Sequence, residues 1–386
     1  MKRAINAANL HVGGGVQVAV SFLHELASQP VQAARFAVFA SSEVDAELKS
    51  LGCDVGRFQR YLAIDMHGLV RGSRALHREL DRFDVVFTVF GPLYRWSPPF
   101  RSIVGFAQAW ILYPDNESLS ALSWQARWRQ RAKFWIQKQF FRRADELVGE
   151  LEHVRDGLVR RLGADPRAIH VVRNSVASLY RQPEAWRPVA MPPDSCDLRL
   201  GFVGRNYAHK NTAIFPAVVA ALRQRHGIEA KVYVTFNEAE WQACPPEFQA
   251  SCVNVGPLSV TQCPAFYQAV DAVIFPSLLE CASATPLEAM AMGRPLFASD
   301  RPFNRDLCDG HARFFDPLAP DSAAAAIAEW FRNGGPDEDE LAAARRHALD
   351  FSNAAERARK YTAILLQGAR QAGHAPTTHI GLHDEQ

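Results

Sequence analysis

Short apolar runs alternate with longer amphipathic ones along the whole chain, the pattern of parallel α/β architecture. A first series of strand-like runs falls at 4–10, 36–40, 85–89, 103–106, 147–149 and 169–172. A second begins at 198–203 and continues at 231–235, 253–255, 272–275, 295–298 and 313–315. Between the series, Tyr180–Asp194 carries Pro183, Pro188, Pro192 and Pro193, which disfavour both helix and central strand. The pattern therefore predicts two α/β domains joined by a proline-rich linker. The boundaries read as a first domain over 1–178, a linker over 179–195 and a second domain over 196–350. A C-terminal helix over 351–372 and a frayed tail over 373–386 follow.

Length agrees, because 386 residues exceed what one hydrophobic core usually organises. With 48% hydrophobic residues the chain can build such cores, and a net charge of +2 excludes a globally basic nucleic-acid binder. No apolar run is long enough to cross a bilayer. The start, Met1-Lys2-Arg3-Ala4-Ile5, has no apolar signal region, so a cytoplasmic location is expected. The seven scattered cysteines include no C-x-x-C pair, which argues against a disulfide framework and a zinc site alike.

Three segments carry candidate chemistry. Gly13-Gly14-Gly15 lies between a strand and a helix, where backbone amides can approach an anionic ligand. It does not match the dinucleotide fingerprint, and a tight turn explains it equally well. Arg205 and Lys210 follow the first strand of the second series, at the strand end where open sheets bind ligands. Solvated loop cations would read the same way.

The third segment runs from Phe275 through Glu280, Ser283-Ala284-Thr285 and Glu288 to Pro295. A strand ends, a small-residue loop follows, and a helix begins with Thr285 as the expected N-cap and Pro286 at its first position. Loop amides and the helix dipole would form an anion site. Helix capping alone would account for Glu288, but not for the loop that separates it from Glu280.

Glu280 and Glu288, with Ala289-Met290-Ala291-Met292-Gly293-Arg294-Pro295 behind them, closely resemble the E-x7-E signature of glycosyltransferase family 4. Gly13–Gly15, Val171–Ser175, Gly204-Arg205 with Lys210-Asn211, Val255-Gly256-Pro257 and Tyr267–Asp271 resemble other family stretches in the family's order. The resemblance implies the GT-B fold, two Rossmann-like doubly wound domains facing a central cleft. It also implies a mostly retaining transferase that moves a sugar from a nucleotide-sugar to a glycan or lipid-linked acceptor, as in surface polysaccharide or lipopolysaccharide assembly. Arg205 and Lys210 would hold the diphosphate, with the amides of Ser283, Ala284 and Thr285. Glu288 would bind the ribose, and Glu280 would act on the transferred sugar as the catalytic carboxylate.

On the acceptor side, Gly13, Gly14, Gly15 and Gln108 are the implied contacts. Gln108 stands where many members carry a histidine, so it can bind a sugar but not take a proton. The family's E-G-F-G reads Glu280-Cys281-Ala282-Ser283 here, which leaves the donor open. No cofactor and no metal are expected, since the D-x-D at Asp337–Asp339 is not at a strand end. A nucleotide-sugar epimerase and a non-catalytic subunit of the same fold are the rival readings.

One segment stands outside these motifs. Trp124–Arg143 carries seven cations and no acid, with Trp124, Trp128, Ala132, Trp135 or Ile136, and Phe140 at helical spacing. That stripe is the expected core face, and Phe134 and Phe141 are extra aromatics on the basic side. The helix reads either as core-packed with a solvated face or as a dock for an anionic membrane surface.

Overall fold

The computed structural model describes residues 1–68, 73–119, 122–193 and 195–367. The 373–386 tail expected to fray lies outside them. Among the described residues, thirteen strands form two sheets in which every pairing is parallel. The first sheet contains β1 (Arg3–Ala7), β2 (Phe36–Ala40), β3 (Arg60–Ala63), β4 (Val85–Thr88), β5 (Arg101–Gly105), β6 (Glu146–Gly149) and β7 (Ile169–Val171). The second contains β8 (Leu198–Phe202), β9 (Ala230–Val234), β10 (Cys252–Asn254), β11 (Ala272–Phe275), β12 (Leu296–Ser299) and β13 (Arg313–Phe315).

Strand order is β3-β2-β1-β4-β5-β6-β7 in the first sheet and β10-β9-β8-β11-β12-β13 in the second. Each sheet thus reverses direction once, between β1 and β4 and between β8 and β11. At such switch points the flanking loops diverge and leave a crevice beyond the strand ends. The glycine loop follows β1, and the two loops bearing Lys210 and Glu280 follow β8 and β11. Fully buried central strands such as Phe36–Ala40 and Ala272–Phe275 explain why the apolar runs do not alternate.

The last described helix, Ala354–Leu366, packs on the first, Gly14–Ala27. Tyr361 sits edge-on to Phe22 at 5.1 Å, and Arg3 Nε donates to the Leu365 carbonyl at 3.0 Å. Across the domains, the His153 amide donates to Asp306 at 2.8 Å and Arg301 pairs with Glu117 at 2.7 Å.

Two expectations need correction. Arg60–Ala63 is a strand that the apolar pattern does not announce, because it is a half-exposed edge with polar neighbours. The basic helix, Trp124–Phe141, also faces the other way. Phe134, Gln137 and Phe141 are its buried residues, whereas Trp124, Trp128 and Trp135 are 69%, 67% and 64% exposed. Phe141 packs edge-on against Phe106, and Phe134 stacks on Trp110. Those contacts hold the inner face, so the periodic tryptophan stripe looks outward.

Candidate active site

The second domain brings its two candidate loops together. The Leu278 amide donates to the His209 carbonyl at 2.8 Å, tying the loop after β11 to the loop after β8. Asn211 adopts a left-handed conformation, φ 56°, and anchors its side chain on the Pro317 carbonyl at 2.8 Å. This sharp turn aims the preceding Lys210 inward. Its Nζ donates to Glu280 Oε1 at 2.6 Å, with side chains only 14% and 13% exposed. Nearby His209 is held below the ordinary histidine range, chiefly by burial.

Arg205 does not join that pair. Its exposed guanidinium turns to Glu240, donating from Nε to Oε1 at 2.8 Å. Glu240 is itself fixed by a capping box with Asn237. The two expected diphosphate cations therefore sit apart, because each has found a different carboxylate.

The helix beyond the loop begins at Ala284, preceded by Ser283 with no side-chain cap. Thr285 is not the N-cap and Pro286 is not the first helical residue. The Thr285 hydroxyl donates to the Val203 carbonyl at 3.2 Å, stitching the helix start to the end of β8. The first helical amides consequently have no capping side chain, and Ala284 is exposed toward the cleft. Glu288 is half-buried and accepts a hydrogen bond from the Tyr267 hydroxyl at 3.0 Å. Burial pushes its carboxyl above the usual range, against the pull of that hydroxyl. Tyr267 belongs to the motif stretch, but no role for it follows from the sequence.

Facing these loops, the first domain forms most of a cavity of about 490 Å³. Gly14, Gly15 and Gln108 line it, with Glu150 and Asn174 at the ends of other strands and Ala282 and Ala284 opposite. Gly13 holds the helix entry at φ 71°, a conformation that favours glycine. A side chain at Gly15 would press on Leu10 at 3.3 Å. His11 also lines the cavity. Its Nδ1 meets Glu43 at 2.8 Å and its Nε2 meets the Met66 carbonyl at 3.1 Å, with Asp65 at 3.7 Å. Burial opposes its charge, but these acceptors outweigh it and raise the imidazole above its ordinary value. Both ring nitrogens thus face oxygen acceptors. Asp337 caps the helix Glu338–Asp350, accepting from the Asp339 and Glu340 amides, which gives the D-x-D a structural task.

Residues 197–333 match the family described as Glycosyl transferases group 1. No curated protein matches the chain. Among solved structures, HepE of Anabaena in complex with UDP aligns with TM-score 0.65 at 13% identity, covering 95% of this chain and 99% of that one. Sucrose-phosphate synthase of Thermosynechococcus elongatus aligns with TM-score 0.68 at 14% identity, covering 94% and 98%. WaaG, a glycosyltransferase involved in lipopolysaccharide biosynthesis, aligns with TM-score 0.64 at 13% identity, covering 95% and 100%. The fold is GT-B. With the family match over its second domain, the protein is a glycosyltransferase.

Proposed function

We propose that the protein transfers a sugar from a nucleotide-sugar to a glycan or lipid-linked acceptor in surface polysaccharide assembly, with retention and without a metal. The observation that carries this reading is the Lys210–Glu280 pair at the second switch point, beside an uncapped helix start. Lys210 and the amides of Ser283, Ala284 and Thr285 take the diphosphate, and Arg205 swings from Glu240 to add a second cation. Released by Lys210, Glu280 faces the transferred sugar, where an anion favours the positive charge that develops as the glycosidic bond breaks. Fixed cations and a helix dipole then stabilise the departing diphosphate as a metal would elsewhere. Glu288 takes the ribose. HepE supports the donor class, since its structures hold UDP and UDP-glucose.

The acceptor enters from the first-domain side, past Gly14, Gly15 and Gln108. Three exposed tryptophans on a helix rich in cations support contact with an anionic membrane face from the cytoplasm. No described helix is long and apolar enough to cross a membrane. A thermal-shift screen against nucleoside diphosphates and their sugars tests the donor reading, because a bound ligand raises apparent stability by mass action. Absence of any shift would remove it.

A further inference from the structure

Glu150 follows β6, is only 7% exposed, and still reaches the cavity. Among the described residues its carboxyl has no hydrogen-bond or ion-pair partner. Arg357, buried at 3% exposure on the returning helix, acts on it only through space. That guanidinium spends Nη1 on the Asn174 side-chain oxygen, and its Nε has no partner among the described residues. Buried carboxylates normally find donors. An unpartnered one at the wall of a cavity therefore asks for a ligand hydroxyl. An ammonium ligand fits less well, since Arg357 already supplies positive potential there.

We propose that the Glu150 carboxyl binds a hydroxyl of a pyranose acceptor and helps decide which sugar is extended. This rests on the acceptor entering from the first-domain side. The carboxylate accepts the hydrogen bond, and no covalent step is assigned to it. Geometry is supported by titration: burial pushes Glu150 up to about 7, with Arg357 pulling the other way. A hydroxyl that donates to the ionised form binds better as pH rises through that value. The groups facing Glu150 are Arg357 and Tyr361 of the returning helix and Cys281 of the loop after β11. His11 and His67 line the same cavity, and any effect of theirs persists when Glu150 is replaced.

The test uses the full chain and methyl glycosides of glucose, galactose, mannose and N-acetylglucosamine, observed by saturation-transfer NMR with UDP present. Wild type should bind at least one glycoside about threefold better near pH 8 than near pH 6. Glu150→Gln, which keeps size and removes a buried charge, should lose most of that pH dependence and the preference among glycosides while keeping UDP affinity. A melt checks its fold, and the pH series on wild type reads the same group without mutation. Identical glycoside binding by both proteins at both pH values overturns the assignment. So does a wild type that binds UDP but no glycoside. Glu150-dependent glycoside binding without UDP binding would uphold the assignment and overturn the donor reading instead.

Discussion

Lys210 Nζ and Glu280 Oε1 lie 2.6 Å apart, so the cation proposed for the donor's phosphates is held by the carboxylate proposed for its sugar. On that proposal, a diphosphate entering this site competes with Glu280 for the same ammonium group, and its arrival frees the carboxylate. Binding and catalytic readiness are thereby linked through one contact.

Lys210→Ala should weaken nucleoside diphosphate binding by roughly 1.5–3 kcal/mol, the value of a hydrogen bond to a charged group. It should also lower thermal stability, because Glu280 is left largely buried without its partner. Arg205→Ala should weaken binding with little effect on stability, since its bond to Glu240 is exposed on the arginine side. Calorimetry and melts on both variants decide the matter, and unchanged affinity in both would take the two residues out of the site.

Glu280→Gln should sharply reduce turnover with nearly normal nucleoside diphosphate affinity, while Glu288→Gln weakens nucleotide binding. The division follows from position, one glutamate before the loop and the other inside the helix against Tyr267. Measured turnover and affinity that are interchangeable between the variants would refute it.

Transfer activity should survive EDTA. On the proposed reading, the charge on the leaving group is met by Lys210, Arg205 and helix amides. Loss of turnover with chelator and recovery with magnesium or manganese would contradict the proposed mechanism.

Replacing Trp124, Trp128 and Trp135 together with alanine should hardly change the melt, because all three are exposed. Co-sedimentation with anionic vesicles should fall strongly. Phe134→Ala should do the reverse in stability, costing about 3–5 kcal/mol for a buried aromatic. Equal vesicle binding by wild type and the triple variant would confine this helix to packing.

Glu150 makes a further pH-dependent prediction. Its carboxyl is raised from 4.5 to about 7, so the unfolded chain releases this proton first as pH rises. Folded stability therefore declines between those values, by up to about 3 kcal/mol once pH exceeds 7. Glu150→Gln should melt higher than wild type at alkaline pH and show no advantage in acid. Melts across that range are the measurement.

Fold class and the order of the two sheets were legible because buried parallel strands leave unbroken apolar runs, as at Phe36–Ala40 and Ala272–Phe275. The edge strand Arg60–Ala63 leaves none, being half-exposed. In the basic helix, spacing reveals which residues share a face but not which face is buried when both carry aromatics. Trp110 and Phe106 decide that, from elsewhere in the chain. The spacing of the two glutamates was visible in the sequence, whereas the partners of Arg205 and Glu288 were not. Glu240 and Tyr267 reach them across loops whose geometry no local pattern encodes. Glu150 offered one signal, a carboxylate at the end of an apolar strand, but a single acidic residue there is common.

The contact between Ala354–Leu366 and Gly14–Ala27 makes the first and last described helices neighbours. Tyr361, Ile364 and Leu365 complete a core whose other members come almost entirely from the first half of the sequence. During synthesis the first domain emerges early but lacks this closing piece until the second domain has been made. Its glycine-loop helix must wait with an uncovered apolar face, a setting in which nascent chains aggregate or recruit chaperones. Synthesis of Ala354–Leu366, rather than completion of the first sheet, becomes the event that seals the first domain.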